Sequence, residues 1–238
     1  MSAVFGIYNL NGKPVDPKLP AKMAKAMDYW GPDGSDTFMD NEIVLGHLAL
    51  HNTPESVYET MPMKSESGRY IITVTARIDN RDELFSDLSI IHKDQTKIPD
   101  GFLIQAAWEK WGEECVHHLL GTWSFAVWDK QAKRLFVARD HHGATGLYYY
   151  QSSRFFAFAS SLKGLLALPD VPREPDPLHV AQVLCSWPAH GAPTMYKGIF
   201  RLPPAHRMTV DANKFKTDRY WYLENAPQIR LGVRHGIY

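Results

Sequence analysis

The stretch Met1-Ser-Ala-Val-Phe-Gly-Ile-Tyr-Asn-Leu10 opens the chain and decides what fold to expect. Residues 3–8 form a compact apolar run, which is typical of a buried strand. A run of this kind leaves no room for a disordered leader in front of it. The sequence therefore predicts that the N-terminus is built into the core of the protein.

Ser2 adds a chemical interpretation to this strand. Removal of Met1 would leave a hydroxyl and a free α-amino group on one residue, so that the hydroxyl could attack a carbonyl while the amine accepts the proton. A free α-amine titrates near pH ~8 and is partly neutral at physiological pH. The alternative is that Ser2 is merely the small residue that often follows an initiator Met, and these ten residues alone favour that alternative.

Composition limits the class of protein. Of 238 residues, 45% are hydrophobic and 22% are charged, which is ordinary for a globular chain. Lys+Arg and Asp+Glu number 26 each, so there is no basic field to hold nucleic acid or an anionic membrane. Cys115 and Cys185 lie far apart outside any metal-binding pattern, and no apolar run approaches the length of a membrane span. We therefore expect a cytoplasmic protein with no metal, no cofactor, and no nucleic-acid or membrane partner.

Hydrophobic periodicity predicts strands and helices within one domain. The main strands are predicted at Val4–Tyr8, Leu45–Leu50, Tyr70–Ala76, Trp123–Trp128 and Arg134–Arg139. Helices are predicted from Leu19 and from Phe102, and Asp176 followed by Pro177 is typical of a helix N-terminus. Asp100 could cap the helix that follows it, and Asn80 with Glu83 could form a capping box. These elements indicate an α+β domain with two antiparallel sheets between helix layers.

The order of the motifs resembles the N-terminal glutaminase domain of the asparagine synthetase family, the class II glutamine amidotransferases. The motifs that carry the resemblance are Phe5-Gly-Ile-Tyr8, Trp30-Gly-Pro-Asp-Gly34, Leu45-Gly-His47, Asp79-Asn-Arg-Asp-Glu-Leu84, Trp111-Gly-Glu-Glu-Cys115, Phe125-Ala-Val-Trp-Asp129, Ala138-Arg-Asp140, Leu202-Pro-Pro204 and Tyr220-Trp221. The resemblance implies the four-layer αββα sandwich of N-terminal-nucleophile (Ntn) hydrolases. It also implies an amidotransferase-like domain over residues 1–224, with residues 225–238 as a linker or tail toward an ATP-dependent synthetase domain that the chain lacks.

The resemblance also assigns five positions to the site. Ser2 takes the place of the family's nucleophilic cysteine, and a hydroxyl is far less acidic than a thiol. Ala49 takes the place of the arginine that binds the substrate α-carboxylate, so a bidentate contact is lost. The Asn-Gly oxyanion hole falls on Thr75 and Ala76, which leaves the Ala76 amide but removes the side-chain donor. Asp100 matches the aspartate that receives the substrate α-amino group.

Three interpretations follow from these replacements. The first is a glutaminase-type domain with a degenerate site, a pseudoenzyme that supports an ATP-dependent amide-forming domain or subunit. The second is an active N-terminal-serine amidohydrolase that acts on an amide other than glutamine. The third is a scaffold that docks a separate ATP-dependent ligase and hydrolyses nothing.

Overall fold

The computed structural model describes residues 2–187 and 191–225, so Met1 and nearly all of the expected tail at residues 225–238 lie outside the described residues. Strands dominate the described part of the chain. In chain order they are β1 (Ala3–Asn9), β2 (Gly34–Asp40), β3 (Ile43–Ala49), β4 (Met63–Lys64), β5 (Tyr70–Ile78), β6 (Gly121–Asp129), β7 (Arg134–Arg139), β8 (Tyr148–Gln151), β9 (Phe155–Ala159), β10 (Ile199–Arg201), β11 (His206–Val210) and β12 (Phe215–Arg219). The α-helices are α1 (Lys18–Ala26), α2 (Arg81–Asp87), α3 (Asp100–Trp111), α4 (Leu162–Leu166) and α5 (Pro177–Leu184).

The strands form two sheets whose neighbouring strands all pair antiparallel. The first sheet has the order β10-β8-β9-β1-β3-β2, and the second has the order β12-β11-β7-β6-β5-β4. Strand β1 lies inside the first sheet, between β9 and β3. The first ten residues therefore hold the position in the core that their apolar run predicts.

Both faces of β1 are buried. Side chains alternate between the two faces of a strand, and those of residues 3–8 are all buried. Val4 and Tyr8 point toward the second sheet, whereas Phe5 and Ile7 pack in the cluster that contains Met23 of α1. Gly46 of β3 is required for this packing, because a Cβ there would collide with the ring of Phe5. The missing side chain of Gly46 thus gives the Phe5 ring its place against β3.

The second sheet carries its own helix layer on the opposite side of the sandwich. Leu103, Ala107 and Trp108 of α3 pack with Val74 of β5 and Trp123 of β6 in one apolar cluster. Helix α1 covers the first sheet and α3 covers the second, so the order of layers is helix, sheet, sheet, helix. The α+β sandwich of two antiparallel sheets is confirmed.

Local signals located the start of α5 correctly and gave the wrong cap at the starts of α2 and α3. The Asp176 side chain caps α5 by accepting from Leu178 N at 3.0 Å, as predicted. Asp100 does not cap α3: Pro99 holds the N-cap position, and the Asp100 carboxylate binds the amide of Ile78 instead. Asn80 likewise gives no side-chain cap to α2, because its amide side chain is used by His118 O and Leu120 N.

Strand β2 was not predicted. Its residues are mostly exposed, so it lacks the apolar alternation that marks a half-buried strand, and backbone pairing with β3 holds it at the sheet edge. In the described ranges, no helix is both long and apolar enough to cross a membrane. Residues 2–187 and 191–225 also contain no cluster of three or more His, Cys, Asp or Glu side chains suited to a metal ion.

Candidate active site

Ser2 lies immediately before β1, at one end of the sandwich. Its Oγ accepts a hydrogen bond from Leu50 N at 3.0 Å and lies 3.5 Å from Leu50 O. Ala3 pairs with Leu48, and extending this antiparallel register by one residue places Ser2 opposite Ala49. The structure therefore brings Ser2 and Ala49, two of the positions that the resemblance assigns to a site, together at the end of β3.

Strand β5 reaches the same end of the sandwich from the second sheet. Thr73 Oγ1 donates to Gly46 O at 3.1 Å, which links β5 to β3 between the sheets. His47, the next residue of β3, lies close to the backbone of Val74, the next residue of β5. The two strands thus run alongside each other, and Thr75 and Ala76 lie toward the end of β5 that neighbours Ala49.

Thr75 faces the layer between the sheets. Its hydroxyl, the hydroxyl of Ser124 directly opposite on β6, and the Nε2 atom of His47 are buried with no hydrogen-bond partner in the described part of the chain. Burial lowers the pKa of His47 to about 4, assisted by the nearby His51, so the imidazole is neutral at physiological pH. The site therefore has an inner layer of polar but uncharged groups. Sequence reasoning assigned no site role to His47 or Ser124, although a polar residue inside the apolar Trp123–Trp128 run was an available signal.

Ala76 directs its amide away from β6. Asp79 N donates to Leu120 O at 2.9 Å on the β6 side, whereas Ile78 N donates to Asp100 Oδ2 at 2.9 Å on the other side. Because amides alternate between the two edges of a strand, the Ala76 N–H shares the edge of Ile78. Strand β4 pairs only with Ile71 and Ile72 on that edge. The Ala76 amide, which the resemblance assigns to an oxyanion hole, thus points to the part of the edge that β4 does not cover.

Asp100 lies near the end of this open edge, where it contacts Ile78, two residues beyond Ala76 along β5. Its carboxylate accepts from Ile78 N and forms an ion pair with Arg81, and both side chains of the pair are largely buried. Burial raises the pKa of Asp100 although Ile78 and Arg81 act in the opposite direction. The aspartate is therefore near the other site positions, but its carboxylate already has internal partners.

Glu59 is a partly buried carboxyl that contacts the start of α3, and sequence reasoning gave no indication of it. Its Oε1 accepts from Gly101 N at 3.1 Å. Burial, assisted by the neighbouring Asp100, raises the pKa of Glu59 to about 7 although the hydrogen bond from Gly101 acts in the opposite direction. Its contact with Gly101 joins residues 42 positions apart, which no local pattern could predict.

The site can in principle offer a hydroxyl nucleophile at Ser2 and a backbone oxyanion donor at Ala76. Opposite Ser2 lies the uncharged methyl group of Ala49, where the resemblance would place a guanidinium. A side-chain donor into the open edge is also missing at Thr75, because its hydroxyl lies in the buried inner layer. The two sheets thus hold these positions in one frame, with few polar contacts available to a ligand.

Comparison with known proteins agrees with this frame. A family model described as a glutamine amidotransferase domain matches residues 1–221. Among curated proteins, asparagine synthetase [glutamine-hydrolyzing] 3 of Bacillus subtilis is 28% identical over 206 residues, which cover 86% of this chain and 34% of that protein. Asparagine synthetase [glutamine-hydrolyzing] 2 of the same organism is 27% identical over 227 residues, covering 91% of this chain and 29% of that protein. The chain thus spans about a third of the length of these two relatives.

Solved structures show the same fold. The glutamine phosphoribosylpyrophosphate amidotransferase of B. subtilis superimposes with a TM-score of 0.65 at 14% identity, covering 92% of this chain and 49% of that one. At this identity the likeness concerns the fold alone, and it is the two-sheet sandwich of the Ntn hydrolases. The match of the family model over nearly the whole chain is the stronger finding, and by it this chain belongs to the class II glutamine amidotransferase domain family, of the type found in asparagine synthetases.

Proposed function

We propose that this chain is an amidotransferase domain with a degenerate glutaminase site, and that it supports an ATP-dependent amide-forming domain or subunit. The observation that carries the first half is the pairing of Ser2 with Ala49. A glutamine substrate is a zwitterion, and the residue opposite the nucleophile offers its carboxylate no cation. Loss of a bidentate guanidinium contact weakens both the binding and the positioning of such a substrate.

Two further losses act on the chemical step. A serine hydroxyl needs more help from a base than a thiol does, and the only base in the proposed chemistry is the α-amine that removal of Met1 would expose. The Thr75 hydroxyl lies between the sheets instead of at the open edge. Loss of one oxyanion donor costs about two to three orders of magnitude in rate.

The supporting role draws on helix α5. None of its eight residues is buried, and residues 177–187 contain no Asp, Glu, Lys or Arg. The α5 surface, defined here as Leu178, Val183, Leu184, Trp187 and Met195, exposes between 44% and 80% of each residue. Exposed apolar patches of this kind commonly mark protein–protein contacts. Because the relatives extend well beyond the segment this chain matches, we assign the α5 surface to the synthetase-type partner.

Ammonia release from L-glutamine tests the first half. We expect the wild type and Ser2→Cys both to stay far below the ordinary turnover range of about 1 to 10³ per second. The cysteine variant fails because Ala49 and Thr75 remain, and Ser2→Ala provides the blank. Turnover in the ordinary range by the wild type would contradict the proposal, as would recovery to that range by Ser2→Cys alone.

Co-purification tests the second half, with a synthetase-type chain from the same genome as the probe. We expect Leu184→Glu to abolish the complex while leaving the melting temperature unchanged, because Leu184 is 80% exposed. Leu223→Glu is the matched control, since Leu223 is also exposed but lies outside the α5 surface. Equal loss of binding in both variants would contradict the assignment of α5.

One observation favours a second candidate, an active N-terminal-serine amidohydrolase. Ser2 and the outward-facing amide of Ala76 would still supply a nucleophile and one oxyanion donor. Intact-mass spectrometry decides its precondition, because retained Met1 removes the α-amine on which this chemistry depends. A processed N-terminus together with hydrolysis of a non-glutamine amide would favour this candidate over the first.

A further inference from the structure

The Arg81–Asp100 ion pair has a consequence for the ligand that the cleft can accept. Arg81 Nη1 binds Asp100 Oδ1, while Asp100 Oδ2 accepts from Ile78 N at 2.9 Å. Both carboxylate oxygens are thus already bound within the protein. A cationic ligand group would have to compete with a guanidinium for this carboxylate.

Displacement of Arg81 is costly because its guanidinium is held from several directions. Nη2 donates to Gln95 O at 2.9 Å and to Ile98 O at 2.8 Å. The guanidinium also stacks over the ring of Phe85, 5.6 Å from its centroid. The side chains of Arg81 and Asp100 are only 19% and 10% exposed. A free ligand ammonium would have to replace all of these contacts together.

The pair lies where it can influence a ligand held beside Ser2. Asp100 binds Ile78, and the Ala76 amide lies two residues earlier on the same edge of β5. One two-residue step along a strand is about 6–7 Å, which is the reach of a small substrate. In the first sheet, Ser2 lies opposite Ala49, which has no charge.

The other ionisable groups near these positions do not replace Asp100. His47 is neutral at physiological pH because burial lowers its pKa to about 4. Glu59 is only partly ionised near neutrality, because burial raises its pKa to about 7. The Asp33 carboxylate lies beside Ala49, where it accepts from His51 N at 2.7 Å. The charges of Arg81 and Asp100 cancel within the pair, so a ligand ammonium at the open edge loses Asp100 as its counter-charge.

We propose that Arg81 determines ligand specificity: its guanidinium occupies the Asp100 carboxylate, so the site beside Ser2 disfavours α-amino acids relative to uncharged carboxamides. The inference rests on the proposed function, since it deepens the account of why free glutamine is not a substrate. Asp100 is then a positioning residue that fixes the end of β5 and the start of α3. It does not touch the ligand.

The test measures binding by NMR titration of the ¹⁵N-labelled full chain with L-glutamine and with butyramide, an uncharged carboxamide. We expect no saturable glutamine binding in the millimolar range by the wild type or by Ala49→Arg. The double variant Ala49→Arg/Arg81→Gln, which supplies a carboxylate partner and frees Asp100, should gain about tenfold to a hundredfold in glutamine affinity. The response to butyramide should change little across the series. A merely structural effect of Arg81 would instead alter the binding of both ligands.

The matched control is Ala49→Arg/Arg77→Gln. Arg77 is also an arginine of the same segment, but it pairs with Asp79 at the surface, so its removal should give no gain. The inference is overturned if Ala49→Arg alone binds glutamine, if the control gains as much as the test variant, or if the folded test variant gains nothing. Glutamine binding by the wild type without turnover would overturn this inference and leave the proposed function intact, whereas turnover would overturn the proposed function itself.

A second measurement covers the case in which Arg81→Gln does not fold. The carboxyl ¹³C resonance of Asp100 is followed in the wild type while ethylammonium is added. An unchanged resonance supports an occupied carboxylate, and a saturable shift overturns the inference.

Discussion

The two sides of β5 hold buried polar groups in opposite ways. On its inner face, Thr75, Ser124 and His47 have buried polar atoms without partners in the described residues, and the group is uncharged at neutral pH. At its open edge, Asp100 is paired with Arg81 and with a backbone amide. One strand therefore separates an uncharged, unsatisfied layer from a charged, satisfied one.

The difference follows from the cost of burial. An unpaired neutral group costs about 1–3 kcal/mol when it is buried, which a stable sandwich can tolerate. An unpaired buried charge costs far more, so the edge keeps its ion pair complete. We infer that the open edge is the more sensitive side of β5, and four predictions test this comparison.

The largest effect is expected for Asp100→Asn, because it leaves the Arg81 guanidinium partly buried without a counter-charge. We expect a loss of about 3 kcal/mol in the free energy of unfolding, measured by urea denaturation. Asp79→Asn removes the exposed partner of Arg77 and should cost less than about 1 kcal/mol. Equal losses of stability in the two variants would contradict the greater sensitivity of the open edge.

Glu59 should make the edge less stable as the pH rises. Its pKa is about 7 in the folded protein against an ordinary value of 4.5, so between these values the folded state binds a proton that the unfolded chain releases. Stability therefore falls as the pH rises through this window. From pH 5 to pH 7, the free energy of unfolding of Glu59→Gln should rise relative to that of the wild type by up to about 2.5 kcal/mol. Glu66→Gln, at an exposed position, is the control and should show no such relative rise. A difference in stability between Glu59→Gln and the wild type that does not vary with pH would contradict the raised pKa of Glu59.

His47 should give the inner layer the opposite pH dependence. Its pKa is about 4 in the folded protein against an ordinary 6.5, so the unfolded chain binds the extra proton and stability falls as the pH drops from 6.5. Between pH 6.5 and pH 5, His47→Gln should lose less stability than the wild type by about 2 kcal/mol. The same measurement on His92→Gln, at an exposed position, should parallel the wild type. If His92→Gln also loses less stability than the wild type, the effect does not belong to the inner layer.

The smallest effect is expected for Thr75→Val, which removes an unpartnered hydroxyl at nearly constant shape. We expect a variant that is as stable as the wild type or more stable by up to about 1 kcal/mol. Thr73→Val, two residues earlier on the same face, should instead lose about 1 kcal/mol because its hydroxyl donates to Gly46 O. Thermal unfolding of the pair compares them directly, and a greater loss in Thr75→Val would show that its hydroxyl is satisfied after all.

Sequence reasoning succeeded where the information is local. The apolar run of β1 and the Asp176–Pro177 signal at α5 are read from adjacent residues, and both are found in the structure. It failed where a residue takes its role from a distant segment. Asp100 looks like a cap in sequence, but its partners Ile78 and Arg81 are 22 and 19 positions away. Strand β2 was missed because its exposed residues carry no periodic signal, and its existence depends on pairing with β3.

Helix α5 also gives the protein a built-in optical probe. All seven tryptophans fall within the described residues, and Trp187, at the end of the α5 surface, is the single exposed one, with 64% of its surface accessible. An aqueous quencher such as acrylamide should therefore reach this indole far more readily than the other six. Binding of a partner over α5 would shift the emission of Trp187 to shorter wavelength and shield it from quenching. Docking could thus be followed in solution on the unlabelled wild-type chain.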